Sequence, residues 1–370
     1  MYDLYIKNGK TINEVPIEIA VHHGEIVEVS EKLSVEAQDT IDLENNSYIS
    51  AGWIDDHTHC FEKMDLYYDF PDTIGVQKGV TTVIDAGTTG AKNIGEFHEL
   101  AKDAETNVYA LLNISESGIV HQDELADMDK INEELIQTAL TNYPEFIVGL
   151  KARMSKTVIG DNGIKPLELA KRIQANTKNL PLMVHIGSNP PTLDEVLSRL
   201  DIGDIVTHVY NGKPNGILNS EGNVKEIVWE AYNKGIIFDV GHGSDSFNFG
   251  VAEKAKEEGL VCQTLSTDIY QRNRENGPVF DFATTMEKML VLGYSLEDIL
   301  PMVTAHPAEV FQLTKKGKLA VGFDADITIF NIEEGNKELI DSNGNKRVTN
   351  TLVRPIYTII NGQKYTIEGE

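Results

Sequence analysis

Residues Ser50 to Cys60 read S-A-G-W-I-D-D-H-T-H-C. Side chains two positions apart on a strand leave from one face, so a strand through this stretch sends His57 and His59 to the same side. Two neutral imidazoles held that way form a rigid pair of metal ligands. The pair closes an apolar run and follows a glycine. Asp55 and Asp56 stand beside it and are expected to accept hydrogen bonds from the rings. His-x-His also occurs on surfaces that bind no metal, so the surrounding chain has to decide between the two readings.

Downstream, apolar and β-branched runs alternate with helical patterns. The runs are V-T-T-V-I-D-A-G from Val80, V-Y-A-L-L-N-I from Val108, F-I-V-G-L-K-A-R from Phe146, P-L-M-V-H-I-G from Pro181, D-I-V-T-H-V-Y from Asp204, I-I-F-D-V-G-H-G from Ile236 and T-L-S-T-D-I-Y from Thr264. With the strand at 52–59 they number eight. That alternation predicts the α/β class, a (β/α)8 TIM barrel of parallel strands over residues 51–315. Residues 1–50 and 316–370 are instead β-rich, with turn signals at Asn8-Gly9 and His23-Gly24. Neither end looks able to fold alone, which predicts a small β-sandwich domain formed by both termini.

Strong polar residues within the apolar runs fall toward their ends: Lys151 in the fourth, His185 in the fifth, His208 in the sixth and Asp268 in the eighth. In a barrel of parallel strands these positions converge on the C-terminal mouth, where active sites lie. Each alone has a plainer reading: a hydrogen-bonded core histidine, a snorkelling lysine, an aspartate capping the next helix. Together with His57 and His59 they are expected to form one site.

A protonated lysine has no lone pair to give. A carbamate formed with carbon dioxide does, and it offers two oxygens to a pair of metal ions. At this point the chain resembles the amidohydrolase superfamily, in its binuclear branch with a carboxylated lysine. The resemblance rests on the His-x-His of the first strand, the lysine of the fourth, the histidines of the fifth and sixth and the aspartate of the eighth. T-A-H-P-A-E-V at 304–310 and G-F-D-A-D-I-T-I-F at 322–330 look like that family's closing segments. It implies two divalent ions, zinc foremost, with manganese or iron as alternatives. His57, His59 and Asp268 would hold the more buried ion and His185 and His208 the more exposed one. Carboxylated Lys151 and a hydroxide would bridge them, and Asp268 would carry the proton from that hydroxide to the leaving group.

Dihydroorotases in this family carry an arginine two residues after the second histidine; here the residue is Phe61. The nearest likeness is to the group labelled amidohydrolase, adenine deaminase or dihydroorotase-like, whose members resemble deacetylases of small acetylated acids. The expected function is deacetylation of an acetyl ester or amide of a small α-hydroxy or α-amino acid. A cyclic amidohydrolase and an adenine deaminase are the alternatives, and a non-catalytic binding barrel a remote one. Arg153, on the same strand face as Lys151, is expected to hold a substrate carboxylate or oxyanion, or else to form an ordinary ion pair. His242, in V-G-H-G-S-D, either lines the pocket or is structural.

The composition fits a small-molecule enzyme. A formal net charge of -26, from 32 Lys and Arg against 58 Asp and Glu, repels nucleic acid and anionic lipid. No basic leader or long apolar run is visible, and a cytoplasmic protein is expected. A homo-oligomer is compatible with this composition. Cys60 and Cys262 are too few for a disulfide framework and read as buried thiols.

Overall fold

The structure is a computed structural model that describes residues 1–177 and 179–368. Strands β1 (Tyr2–Lys10), β2 (Pro16–His22), β3 (Glu25–Ser30), β4 (Ala37–Asp42) and β5 (Tyr48–Ala51) precede the organising strand β6 (Trp53–Thr58). Six more follow: β7 (Val80–Ala86), β8 (Asn107–Asn113), β9 (Ile147–Met154), β10 (Leu182–Ile186), β11 (Ile205–Thr207) and β12 (Ile237–Phe238). The chain ends in β13 (Ile327–Ile340), β14 (Lys346–Ile360) and β15 (Gln363–Thr366).

Strands β6 to β12 form one curled parallel sheet in which spatial order follows chain order. The eighth expected strand forms no ladder among the described residues. Its segment makes one parallel bridge to each edge of the sheet, Asp239↔Thr264 and Thr58↔Ile269, and further backbone bonds join it to both sides, among them His242 N to Ser266 O (3.1 Å) and Asp268 N to His57 O (2.7 Å). Local bonds explain the missing ladder. Thr267 N donates to Asp55 Oδ1 (3.0 Å), Ile269 N to Thr267 Oγ1 (3.1 Å), and Asp268 turns left-handed at φ 49.

Helices cover the outer face by burying residues three to four apart: Ile94 and Phe97 in 94–101, Leu167, Ala170 and Ile173 in 165–174, Phe249, Ala252 and Ala255 in 249–258. The inner face changes character along the strands. Ile84, Leu111, Met183 and Ile205 join Ala308, Phe311 and Leu313 in a buried apolar cluster. Two positions further on, the β8, β10 and β11 residues on that face are Asn113, His185 and Thr207. The period of two therefore stacks a polar layer directly above an apolar floor. No helix among the described residues is long and apolar enough to cross a membrane.

The terminal strands differ from expectation in connectivity. All eight are hydrogen-bonded into one sheet, because β5 pairs with β13 (Ile327↔Ala51 to Phe330↔Tyr48) and so joins the two ends of the chain. Leu4, Ile19, Ile41, Ile49, Ile327 and Ile359 share its core. His23-Gly24 does form the β2–β3 turn, both residues at positive φ. Asn8-Gly9 is instead a bulge inside β1, where the β2 register shifts between Ile6 and Gly9.

The β13–β14 hairpin is far longer than its sheet requires, and its tip reaches the other body of the molecule. Ser342 N donates to Phe247 O (2.9 Å), Ser342 Oγ to Gly243 O (3.0 Å), and Phe249 N to Asp341 Oδ2 (2.9 Å). Asn248 Nδ2 donates to Asn343 Oδ1 (2.8 Å). Residues 243–249 follow β12, so a loop at one end of the parallel sheet is held by a turn about 95 residues away. Replacing Ser342 and Asn343 by Gly removes two of these side-chain contacts, each worth about 0.5–1.5 kcal/mol. Amide hydrogen exchange over 243–249 is expected to accelerate on the order of tenfold with the global unfolding midpoint little changed; unchanged protection would show that the loop holds itself.

Candidate metal centre

All six candidate ligands line one pocket of about 410 Å³ at the C-terminal end of the parallel strands. A larger cavity of about 690 Å³ lies at the opposite end, beside Pro181, Asp204 and Ile237, and contains none of them. Ligand atoms of His57, His208 and Asp268 lie within 4.8 Å of one another. His59 Nε2 is 3.1 Å from Asp268 Oδ1, Lys151 Nζ is 3.1 Å from His57 Nε2, and the His185 and His208 ring centroids are 4.5 Å apart.

The hydrogen bonds behind the rings fix which nitrogen faces inward. The Thr207 hydroxyl donates to Asp239 Oδ2 (2.6 Å), so at 2.9 Å it accepts from His57 Nδ1–H. Thr88 repeats the pattern, donating to Asp85 Oδ2 (2.7 Å) and accepting from His59 Nδ1–H (2.7 Å). His208 Nδ1 donates to Gly241 O (2.6 Å), since a carbonyl can only accept. In all three rings the Nε2 lone pair is left for the pocket, which is the tautomer a metal ligand needs. The donor set of imidazoles, a carboxylate and an amine therefore fits a divalent ion of the zinc type.

The electrostatics agree with neutral rings. Burial drives His57 and His185 well below the ordinary histidine value and His208 down to about 4. Burial also pushes the Lys151 amine down to about 7, against the upward pull of Asp268 and Asp239. Asp268 stays below the ordinary carboxylate range although its burial alone would raise it, because the His59 and His208 rings and the Lys151 amine face it. The backbone is tailored to these groups. His208 and Asp268 both adopt left-handed φ, 70 and 49. A Cβ on Gly87 would lie 2.6 Å from Lys151 Cβ, and one on Gly243 would lie 2.3 Å from Asp268 Oδ2.

Three expectations need correction. Asp55 and Asp56 do not orient the imidazoles. Asp55 accepts from Thr267, and Asp56 is fully buried with neither oxygen hydrogen-bonded among the described residues, its carboxyl pushed well above the usual range first by burial and then by Asp239 and Asp55. Of the orienting threonines and the aspartates behind them, Asp85 lies on β7 and Thr88 just after it, Thr207 ends β11, and Asp239 follows β12. Asp85 and Asp239 show the same sequence signal as His185, a polar residue inside an apolar run. Arg153 lines the pocket, but its Nη1 is 3.1 Å from both Glu124 oxygens and its Nη2 is 2.9 Å from Gln122 Oε1. His242 is buried away from the pocket: its Nε2 faces Lys288 Nζ at 2.8 Å and its ring stacks on Phe247 at 4.6 Å. The cavity wall also includes Tyr67, Lys213, Ser244 and Tyr270, none of which the sequence singled out.

A family model described as a deacetylase-like composite domain matches residues 319–366. The chain is 60% identical over 365 residues to a deacetylase of Enterococcus faecalis (strain ATCC 700802 / V583), covering 98% of this chain and 99% of that one. Among solved structures it is similar to one described as an adenine deaminase, with TM-score 0.98 and 59% identity over 99% of this chain and 100% of the other. It is also similar to one described as a dihydroorotase, with TM-score 0.91 and 33% identity over 100% and 98%.

Two outcomes follow from this geometry. Thr207→Val removes the acceptor behind His57, and a divalent-metal competition titration is expected to give an affinity lower by about 10–100-fold; unchanged affinity would mean that packing alone sets the ring. The buried neutral rings also set a pH dependence. His57, His185 and His208 each take up a proton in the unfolded chain below about pH 6.5, and their burial opposes this in the folded one. The urea midpoint of metal-free protein is therefore expected to fall between pH 7 and pH 5, and a flat profile would contradict neutral burial.

Proposed function

The chain belongs to the deacetylase-like family of the amidohydrolase superfamily, a group of hydrolases, and we propose that it removes the acetyl group from O-acetyl α-hydroxy acids or N-acetyl α-amino acids. The observation that carries this reading is the convergence of His57, His59, Lys151, His185, His208 and Asp268 on one pocket, with the Nε2 lone pairs of His57, His59 and His208 turned inward. We read the parallel sheet and its bridging segment at 264–269 as a (β/α)8 barrel over 51–315. Residues 1–50 and 316–370 are read as the second domain, and the protein as cytoplasmic.

In this reading His57, His59, Lys151, His185, His208 and Asp268 would hold two zinc ions. Lys151 serves as a carbamate: the neutral amine forms a bond to the carbon of carbon dioxide and loses one proton, and the depressed basicity of the buried amine favours that form. The metal pair supplies Lewis acidity that acidifies a water and polarises the scissile carbonyl. Asp268, held below the ordinary carboxylate range, accepts the water's proton and returns it to the departing alcohol or amine. Asn273 Nδ2, donating to Asp268 O at 2.9 Å, holds that residue in its left-handed conformation.

The relatives carry three activity names, and two features favour deacetylation. Position 61, where a dihydroorotase would place its arginine, is Phe61, buried against Phe97 at 5.3 Å. A mononuclear deaminase has no use for a buried lysine among its ligands, whereas Lys151 lies 3.1 Å from His57.

Elemental analysis is expected to give close to two divalent ions per chain, and Lys151→Ala to abolish the pair. Asp268→Asn should keep much of the metal and lose about 10² or more in kcat. The deciding experiment is a hydrolysis screen of zinc-loaded protein with both acetylated classes and with dihydroorotate, hydantoins and adenine. Turnover of one of the last three above about 10⁴ M⁻¹s⁻¹, with none of the acetylated acids, would overturn the deacetylase reading.

A further inference from the structure

The pocket presents two cationic side chains besides Lys151, and they differ in availability. Arg153 is committed: Glu124, with a side chain 2% exposed, takes both contacts of its Nη1, and Gln122 takes Nη2. Swinging the guanidinium toward a ligand would leave a buried carboxylate without its partner, a costly state. Lys213 is half-buried, lines the same cavity, and its ammonium has no hydrogen-bond or ion-pair partner among the described residues. The cavity's one other charged wall residue outside the ligand set, Asp245, is exposed at the rim.

The backbone carrying Lys213 is fixed with respect to the candidate metal ligands. Buried Asn211 accepts from Lys213 N (3.0 Å) and donates to His208 O (2.8 Å), and Gly216 N donates to Lys213 O (2.9 Å). Asn343, at the hairpin tip, closes the space over Gly212, where a Cβ would meet its Oδ1 at 2.5 Å. An unpaired cation on a rigid turn beside a hydrolytic centre is a ready partner for a substrate anion.

From this arrangement we infer that Lys213, and not Arg153, is the specificity-determining residue that binds the substrate carboxylate. The inference rests on the deacetylase reading for the identity of the substrate and on the geometry for the residue. Arg153 then acts as a positioning residue, anchored on buried Glu124 and holding Gln122 in the pocket wall.

Zinc-loaded wild type, Lys213→Met and Lys213→Arg are to be compared on O-acetyl-lactate and on its methyl ester, which lacks the charge. The acid-to-ester ratio of kcat/KM is expected to fall in Lys213→Met on the order of 10–100-fold, the worth of one charge-assisted hydrogen bond, mainly through KM. Lys213→Arg should restore most of it. Calorimetric titration of the same proteins with lactate gives a readout independent of turnover, and Kd should rise at least tenfold in Lys213→Met. If lactate binds in a Lys213-dependent way but no acetyl compound is cleaved, the deacetylase reading fails and the carboxylate anchor stands. An unchanged acid-to-ester ratio in Lys213→Met, equal lactate affinity in wild type and variant, or no lactate binding to wild type would each overturn the anchor.

Discussion

The hydrogen bonds behind the rings, from Thr207 and Asp239 to His57 and from Thr88 and Asp85 to His59, are what the rest of the pocket depends on. Four histidines and a lysine share one small cavity, and protonated they would repel one another in a medium that screens poorly. Each threonine has a single hydroxyl proton, which it gives to an aspartate, so it can only accept from the ring. That relay keeps the negative charges one residue back and the lone pairs in front. Floor and walls follow from it: apolar residues below exclude water, and the ligands above are held neutral.

Building such a site costs backbone freedom. His208 and Asp268 sit in left-handed conformations that cost about 1–3 kcal/mol each for ordinary side chains. Local bonds hold them there, from His208 Nδ1 to Gly241 O and from Asn273 to Asp268 O. Gly87 and Gly243 leave no room for a Cβ because Lys151 and Asp268 occupy that space. The hairpin tip from the terminal sheet then braces the loop after β12. The terminal sheet thus forms part of the wall's support, which gives a physical reason for its reach.

The organising motif, the six converging side chains, seven of the eight strands and the pairing of the two chain ends were legible because they rest on short-range rules. A period of two puts His57 and His59 on one face, and an apolar run with one polar residue marks a strand that faces a site. The eighth strand was read as regular because its pattern is that of a strand, while side-chain bonds to Asp55 and Thr267 take the backbone donors of Thr267 and Ile269 and interrupt the ladder there. Asn8-Gly9 was read as a turn for a similar reason: positive φ suits a bulge as well as a hairpin.

The sequence by itself determined which residue types lie at the mouth of the parallel strands, since strand periodicity and parallel order are properties of consecutive residues. Only the tertiary structure decided what each of them touches. It paired Arg153 with Glu124, turned His242 toward Lys288, gave the imidazoles threonines in place of Asp55 and Asp56, and left the Lys213 ammonium without a partner among the described residues. Those outcomes depend on contacts between segments 29 to 150 residues apart, whose distances and hydrogen-bond competition are set by packing rather than by local pattern.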